Sequence, residues 1–136
     1  MERRALQGAI LLAACVPVFA GLAGAVLGAA AFGGWPGRGA DSHVRYLSGL
    51  LLAIGLLYWS FVPAIERRTG VIRLLTAIVV CGGLARLAGV FIAGDPGNMR
   101  WALIMELFVA PALCLWQARV AKRARGGRTG QGSDRA

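Results

Sequence analysis

The chain has 136 residues, of which 57% are hydrophobic and 15% are charged, and its mean hydropathy is +0.64. Soluble domains are about 45–50% apolar and about 25% charged, so this composition excludes a water-soluble enzyme, a disulfide-stapled secreted module and a disordered chain. The net charge of +9 fits a membrane protein with charged cytoplasmic edges better than a nucleic-acid-binding protein. No nucleic-acid partner is therefore expected.

Four apolar stretches are long enough to cross a membrane as helices, because a hydrocarbon core of about 30 Å needs roughly 20 apolar residues. Short links rich in glycine, proline and charge separate them. We therefore predict an all-α fold, an integral membrane four-helix bundle in residues 1–123. Its spans are predicted at about 5–32, 45–65, 71–93 and 101–121. Residues 124–136 are rich in glycine, arginine and polar residues and are predicted to form a disordered basic cytoplasmic tail.

The first span has an alternative interpretation as a cleaved secretory signal. Basic residues at Arg3 and Arg4 precede the apolar run, and the small residues 29–31 could be cut by a peptidase. The apolar core of a signal peptide is only about 7–15 residues long, however, and this run is much longer. Gly24 and Gly28 also supply two small residues four positions apart, which suit close helix contact. A retained helix is therefore favoured.

The basic residues predict the orientation. With the N-terminus inside, eleven basic residues lie in the cytoplasm, three lie outside and Arg86 lies within the membrane. The cytoplasmic set is Arg3, Arg4, Arg67, Arg68, Arg73, Arg119, Lys122, Arg123, Arg125, Arg128 and Arg135, and the outer set is Arg38, Arg45 and Arg100. This bias predicts that both termini are cytoplasmic. The excess of arginine over lysine fits a high-GC bacterial genome. A multi-pass protein of the bacterial cytoplasmic (inner) membrane is expected, with the lipid bilayer as its partner.

Arg86 and Glu106 are the most informative residues, because each interrupts an otherwise uncharged span. An unpaired charge of this kind costs roughly 2.5–3.5 kcal/mol on insertion. Each residue lies ten positions from Pro96, in the middle of the link between spans three and four. Equal chain distance from the turn of an antiparallel hairpin means equal depth, so the two side chains are predicted to face each other.

Further polar residues are predicted to gather at the outer end of the bundle. His43, Arg45 and Ser48 lie at the start of span two, and Asp41 precedes them. Around Arg86, the glycines at 82, 83 and 89 share its helix face and leave room for its guanidinium or for a neighbouring helix. On span four, Pro111 lies five residues after Glu106 and could aim its side chain inward.

Two interpretations of this cluster stay open. In the first, Arg86 and Glu106 form an architectural ion pair that joins spans three and four. In the second, Arg45, Ser48, Arg86, Glu106 and His43 line an outward-facing polar pocket that binds a small anionic or amphipathic ligand.

The rest of the sequence offers few residues that could carry catalysis or bind a metal or cofactor. Single cysteines occur in three different spans, and the sequence contains neither a metal-ligand spacing nor a cofactor motif, so no catalytic residue, metal or cofactor is expected.

A combination of motifs resembles the domain-of-unknown-function 4345 family. These are Gly82-Gly83-x-x-Arg86 on span three, Gly94-Asp95-Pro96 in the link, and Glu106 with Pro111 on span four. The family comprises small, uncharacterised four-span bacterial membrane proteins, loosely DoxX-like, and the resemblance covers roughly residues 8–120. It implies that Gly83, Arg86 and Glu106 belong to a family motif, and it brings no established activity.

The sequence thus predicts a non-enzymatic accessory or scaffold subunit. The alternative is a binder or carrier of a small anionic or amphipathic molecule. A third alternative, a proton-coupled small exporter, is disfavoured because span one has no carboxylate. Small-residue faces on spans one and three suit a homo-oligomer or contact with a membrane partner protein, as well as internal packing.

Overall fold

The computed structural model describes residues 1–34, 37–94 and 99–130, and this part of the chain is helical with no strand. The α-helices are α1 (Glu2–Leu27), α2 (Arg38–Phe61), α3 (Thr69–Ala93), α4 (Met99–Ile104) and α5 (Ala110–Gly130). Tight 3₁₀ turns follow α1 at Gly28–Phe32 and α2 at Val62–Arg67, and a wide π-helical turn at Met105–Val109 joins α4 to α5. The predicted all-α fold is confirmed.

Within the described ranges, four helical stretches are long and apolar enough to cross a membrane. They are Glu2–Phe32, Arg38–Arg67, Thr69–Ile92 and Arg100–Ala124. Each overlaps one of the predicted spans, and the second differs most from its predicted limits. The second stretch begins seven residues before the expected position at 45, because Gly37 accepts hydrogen bonds from the backbone N–H groups of Ala40 and Asp41. Asp41 in the first turn also stabilises this start, because its negative charge lies near the positive end of the helix dipole.

The last helix also runs further than the sequence indicates. It ends at Gly130, whereas the membrane domain is predicted to end at residue 123. Residues 124–130 contain three glycines, two arginines, one alanine and one threonine, so helix propensity does not account for the extension. Residues 131–136 lie outside the described residues, as do Trp35, Pro36 and residues 95–98 of the predicted links. Disorder of the tail stays a prediction.

The chain divides into two compact units, which we call the hairpin unit and the terminal unit. The hairpin unit is Ile10–Val62, and the terminal unit combines Met1–Ala9 with Pro63–Ala136. Because α1 begins in one unit and continues in the other, each unit takes part of that helix.

Close helix contact holds the hairpin unit together. A side chain on Gly21 would place its Cβ 2.5 Å from the backbone nitrogen of Leu52 and 2.8 Å from the carbonyl oxygen of Ser48. The indole nitrogen of Trp59 donates a hydrogen bond to the carbonyl oxygen of Leu11 at 3.1 Å. The backbones of α1 and α2 can approach this closely because α1 carries no side chain at Gly21. Gly21 therefore serves packing within the hairpin unit.

The terminal unit has its own buried core. Leu6 and Ile65 are fully buried, and Ile72 is 1% exposed. Gln117 of α5 is fully buried as well, although its side chain is polar. Helices α3 and α5 contact each other in this unit. The first residues of the chain thus share one core with its last long helix.

Candidate functional site

An ion pair between Arg86 and Glu106 forms the centre of the candidate site. The Nε atom of Arg86 lies 3.1 Å from Oε2 of Glu106, and its Nη2 atom lies 3.2 Å from Oε1. Both carboxylate oxygens therefore accept a hydrogen bond from the same guanidinium, which is the strongest geometry for such a pair. The side chain of Arg86 is 34% exposed and that of Glu106 is 18% exposed, so the contact is partly buried.

The backbone around Glu106 is unusual, because this residue lies in the π-helical turn Met105–Val109. The N–H group of Ala110 donates to the carbonyl oxygen of Met105, five residues earlier. Pro111 follows at once, and a proline ring crowds the carbonyl group four residues before it. Widening of the helix at this place relieves that crowding. Turns of this kind are frequent at functional sites.

Gly83 allows α3 to pack closely against this π-helical turn. A Cβ atom at Gly83 would lie 2.9 Å from the Cβ atom of Glu106 and 2.9 Å from Cδ2 of Leu107. The position therefore has no room for a side chain. Gly82 and Gly89 differ from it, because no described atom lies within 4 Å of a Cβ built at either position. Of the three glycines predicted to flank Arg86, only Gly83 is closely packed.

Arg45 makes contacts at the end of α1. Its Nε atom lies 2.8 Å from Oδ2 of Asp41, one turn earlier on α2. Its Nη1 atom donates to the carbonyl oxygens of Ala25 at 3.2 Å and Val26 at 2.7 Å. Asp41 in turn accepts a hydrogen bond from the backbone N–H group of Ala29 at 2.9 Å. This pair satisfies backbone groups that the end of an α-helix leaves without partners.

The break that exposes those backbone groups occurs at Gly28. This residue has a φ of +64°, a left-handed conformation that favours glycine. A Cβ atom there would also collide with the carboxylate of Asp41. Gly28 therefore belongs to the helix end and its cap, whereas the sequence predicts it in a helix-packing pair with Gly24.

The other two residues of the predicted pocket lie near the start of α2. Ser48 is 6% exposed and packs against Gly24, where a Cβ atom would collide with its hydroxyl group. His43 is exposed, and it makes neither a hydrogen bond nor an ion pair with the described residues. His43, Arg45 and Ser48 lie in the hairpin unit, whereas Arg86 and Glu106 lie in the terminal unit. A pocket shared by all five stays a prediction.

The sequence analysis missed Gln117 of α5. Its amide nitrogen donates to the carbonyl oxygen of Ile65 at 2.7 Å and to the hydroxyl oxygen of Thr69 at 2.9 Å. The acceptor carbonyl belongs to the segment between α2 and α3, where Ala64 has a non-helical backbone. One signal was available in the sequence, because Gln117 is a polar amide near the end of an apolar span.

Besides the Arg86–Glu106 pair, two further ion pairs lie in the same unit as this amide. Arg3 contacts Glu66, with 3.0 Å between Nε and Oε2, and its Nη2 atom donates to the carbonyl oxygen of Pro63 at 3.0 Å. Arg123 of α5 pairs with Glu2. The start of α1 is therefore tied both to the segment after α2 and to the end of α5.

The described residues contain no group of three or more His, Cys, Asp or Glu side chains that could hold a metal ion. Cys15 and Cys114 are half-buried and Cys81 is exposed, and all three are free thiols. The thiol of Cys15 donates to the carbonyl oxygen of Leu11, one turn earlier in α1, at 3.3 Å.

One comparison with known proteins gave a match. The sequence pattern described as Domain of unknown function (DUF4345) matches residues 5–117, which include the Arg86–Glu106 pair, Gly83 and Pro111. The comparisons with curated proteins and with solved structures each found no match. The predicted family membership is confirmed.

Proposed function

The chain belongs to the DUF4345 family, and we propose that it is a multi-pass protein of the bacterial cytoplasmic membrane, a four-helix bundle that acts as a non-enzymatic accessory or scaffold subunit. Its four apolar helices support the membrane location. The excess of basic residues at one end of these helices supports an orientation with both termini in the cytoplasm. A second copy or a membrane partner protein would be held by such a scaffold.

The observation that carries the architectural role is the two-pronged contact between Arg86 and Glu106. Both carboxylate oxygens are engaged by one guanidinium. Pairing reduces the free energy that each charge would cost if it were unpaired in a membrane. It also joins α3 to the helix that follows. A group engaged in this way has little capacity left for substrate chemistry, which favours a structural role over catalysis.

A double-mutant cycle tests this role. We expect Arg86→Met and Glu106→Leu each to lower the free energy of unfolding by about 1 kcal/mol, because each leaves a partly buried charge without its partner. The double variant Arg86→Met/Glu106→Leu should recover to within about 0.5 kcal/mol of the wild-type protein, because an apolar pair needs no charge compensation. The measurement is thermal unfolding of the full chain in mild detergent.

The pair between Glu2 and Arg123 provides the matched control for that cycle. Its side chains are 39% and 66% exposed, so the same three replacements there should show a coupling of less than about 0.5 kcal/mol. A double variant at Arg86 and Glu106 as unstable as the worse single variant would overturn the architectural role. So would a double variant that keeps its fold but fails to complement a deletion strain.

Cysteine labelling tests the proposed orientation. In a variant without the three native cysteines, Ser42→Cys should react with a membrane-impermeant maleimide in intact cells. Ser133→Cys should react only after the cells are permeabilised, because the C-terminus is proposed to be cytoplasmic. The reverse pattern would contradict the orientation and leave the role of the ion pair untouched.

A second candidate function is favoured by the exposed third of the Arg86 side chain beside the π-helical turn. An arginine that keeps part of its surface open can bind the headgroup of a small anionic amphipath. Titration with dodecyl phosphate distinguishes the candidates. Binding that is lost in Arg86→Met and kept in the conservative Arg86→Lys would favour a ligand carrier over a scaffold.

A further inference from the structure

One face of α5 changes from apolar to basic along its length. Phe108 lies in the turn before α5, and the positions that follow at spacings of four and three are Ala112, Leu115, Arg119 and Lys122. Residues at these spacings share one side of a helix. Phe108 is 70% exposed and Leu115 is 73% exposed, and the two basic side chains are exposed as well. We call this surface the α5 face.

The cations of the α5 face have no acidic partner among the described residues. The terminal unit has three described acidic residues, Glu2, Glu66 and Glu106, and each already contacts an arginine. Neither Arg119 nor Lys122 makes a hydrogen bond or an ion pair with the part of the chain that the structure describes. Their positive charge is therefore available to a group from outside the chain.

We propose that the α5 face binds an anionic phospholipid. Arg119 and Lys122 contact the phosphate of its headgroup, and Leu115 and Phe108 contact an acyl chain. Leu115 lies one helical turn from Arg119, and Phe108 lies about 10 Å further along the helix at 1.5 Å per residue. One extended acyl chain is long enough to contact both Leu115 and Phe108 across that distance.

The combination of charge and apolar surface selects a lipid over other anions. Free phosphate or an acidic peptide would use the two cations and leave the neighbouring exposed apolar side chains uncovered. A phospholipid covers both, because its phosphate is joined to hydrocarbon. Long basic side chains at the end of an apolar helix also extend naturally to the level of the headgroups.

Which leaflet supplies this lipid rests on the proposed orientation, since a cytoplasmic C-terminus assigns it to the inner leaflet. Lipid binding itself does not depend on the orientation. A labelling experiment that reverses the topology would move the site to the other leaflet, whereas a failure of lipid binding would leave the topology intact.

The test counts the lipids retained by the full chain. The protein is reconstituted in equimolar phosphatidylglycerol and phosphatidylcholine, extracted in mild detergent and examined by native mass spectrometry. We expect wild-type protein to retain phosphatidylglycerol preferentially. Removing both cations in Arg119→Gln/Lys122→Gln should reduce that preference by about tenfold, because both side chains that contact the phosphate of the bound headgroup lose their charge.

Two variants keep the test specific. Arg67→Gln/Arg73→Gln removes the same charge from exposed positions in the terminal unit but leaves the α5 face intact, so its preference should stay within about twofold of wild type. Arg119→Lys/Lys122→Arg keeps both charges and should behave as the wild-type protein does. It also shows that the positions tolerate substitution.

Three outcomes would overturn the proposal. The first is a wild-type protein without preference for the anionic lipid. The second is an equal loss in the two charge-removal variants, which would indicate diffuse attraction. The third is displacement of the lipid by polyglutamate at low concentration, which would assign the α5 face to an acidic protein partner.

Discussion

Gly21→Val is expected to prevent the hairpin unit from packing. The first atom of any side chain at this position would lie 2.5 Å from the Leu52 backbone nitrogen and 2.8 Å from the Ser48 carbonyl oxygen. Those atoms belong to the helix backbone and cannot rotate away, so α1 and α2 have to separate. We expect a loss of about 3 kcal/mol or more, measured as a fall in thermal unfolding temperature or as failure to accumulate in membranes.

Gly49→Val is the matched control for that variant. Gly49 lies in α2 of the same unit, and no described atom lies within 4 Å of a Cβ built there. The same replacement thus has the same effect on helix propensity without the collision, and stability should change by less than about 1 kcal/mol. Equal losses in both variants would show that propensity, rather than helix contact, is responsible.

Gln117→Leu is expected to have the second largest effect. The substitution removes the donor that serves the Ile65 carbonyl and the Thr69 hydroxyl, and Ile65 is fully buried. A buried acceptor left without a donor costs about 1–3 kcal/mol, so we expect a loss of about 2–3 kcal/mol in thermal unfolding of the full chain.

Thr69→Val separates the two hydrogen bonds of Gln117. It removes only the hydroxyl acceptor and keeps the shape of the side chain, so it should cost less than Gln117→Leu. The double variant should lose little more than Gln117→Leu alone, because both changes break one shared contact. Fully additive losses would contradict the role of Gln117 as the common donor.

The four helices could be predicted from the sequence because each is an apolar run of sufficient length, bounded by glycine, proline or charge. The contact between Arg86 and Glu106 could be predicted as well, from their equal distance to Pro96 in a short link. Both arguments need only chain length and the cost of charge in a membrane. They do not require knowledge of how any one helix is distorted.

The contacts of Arg45 and Gln117 could not be predicted in this way. Arg45 contacts the carbonyl groups of Ala25 and Val26 because α1 breaks at Gly28, and Gln117 contacts Ile65 near the non-helical backbone at Ala64. Both partners are backbone groups at helix ends. Such acceptors carry no sequence signature, and they become identifiable only once the course of the chain is known.

The pairing of Glu2 with Arg123 has a consequence for biosynthesis. These residues are 121 positions apart, and Glu66, the partner of Arg3, is likewise synthesised well after α1 begins. A ribosome makes the first residues of α1 long before it makes their partner on α5. The terminal unit is therefore assembled late, after nearly the whole chain has been synthesised. Until that moment the core of the terminal unit, in which Leu6 is fully buried, is incomplete.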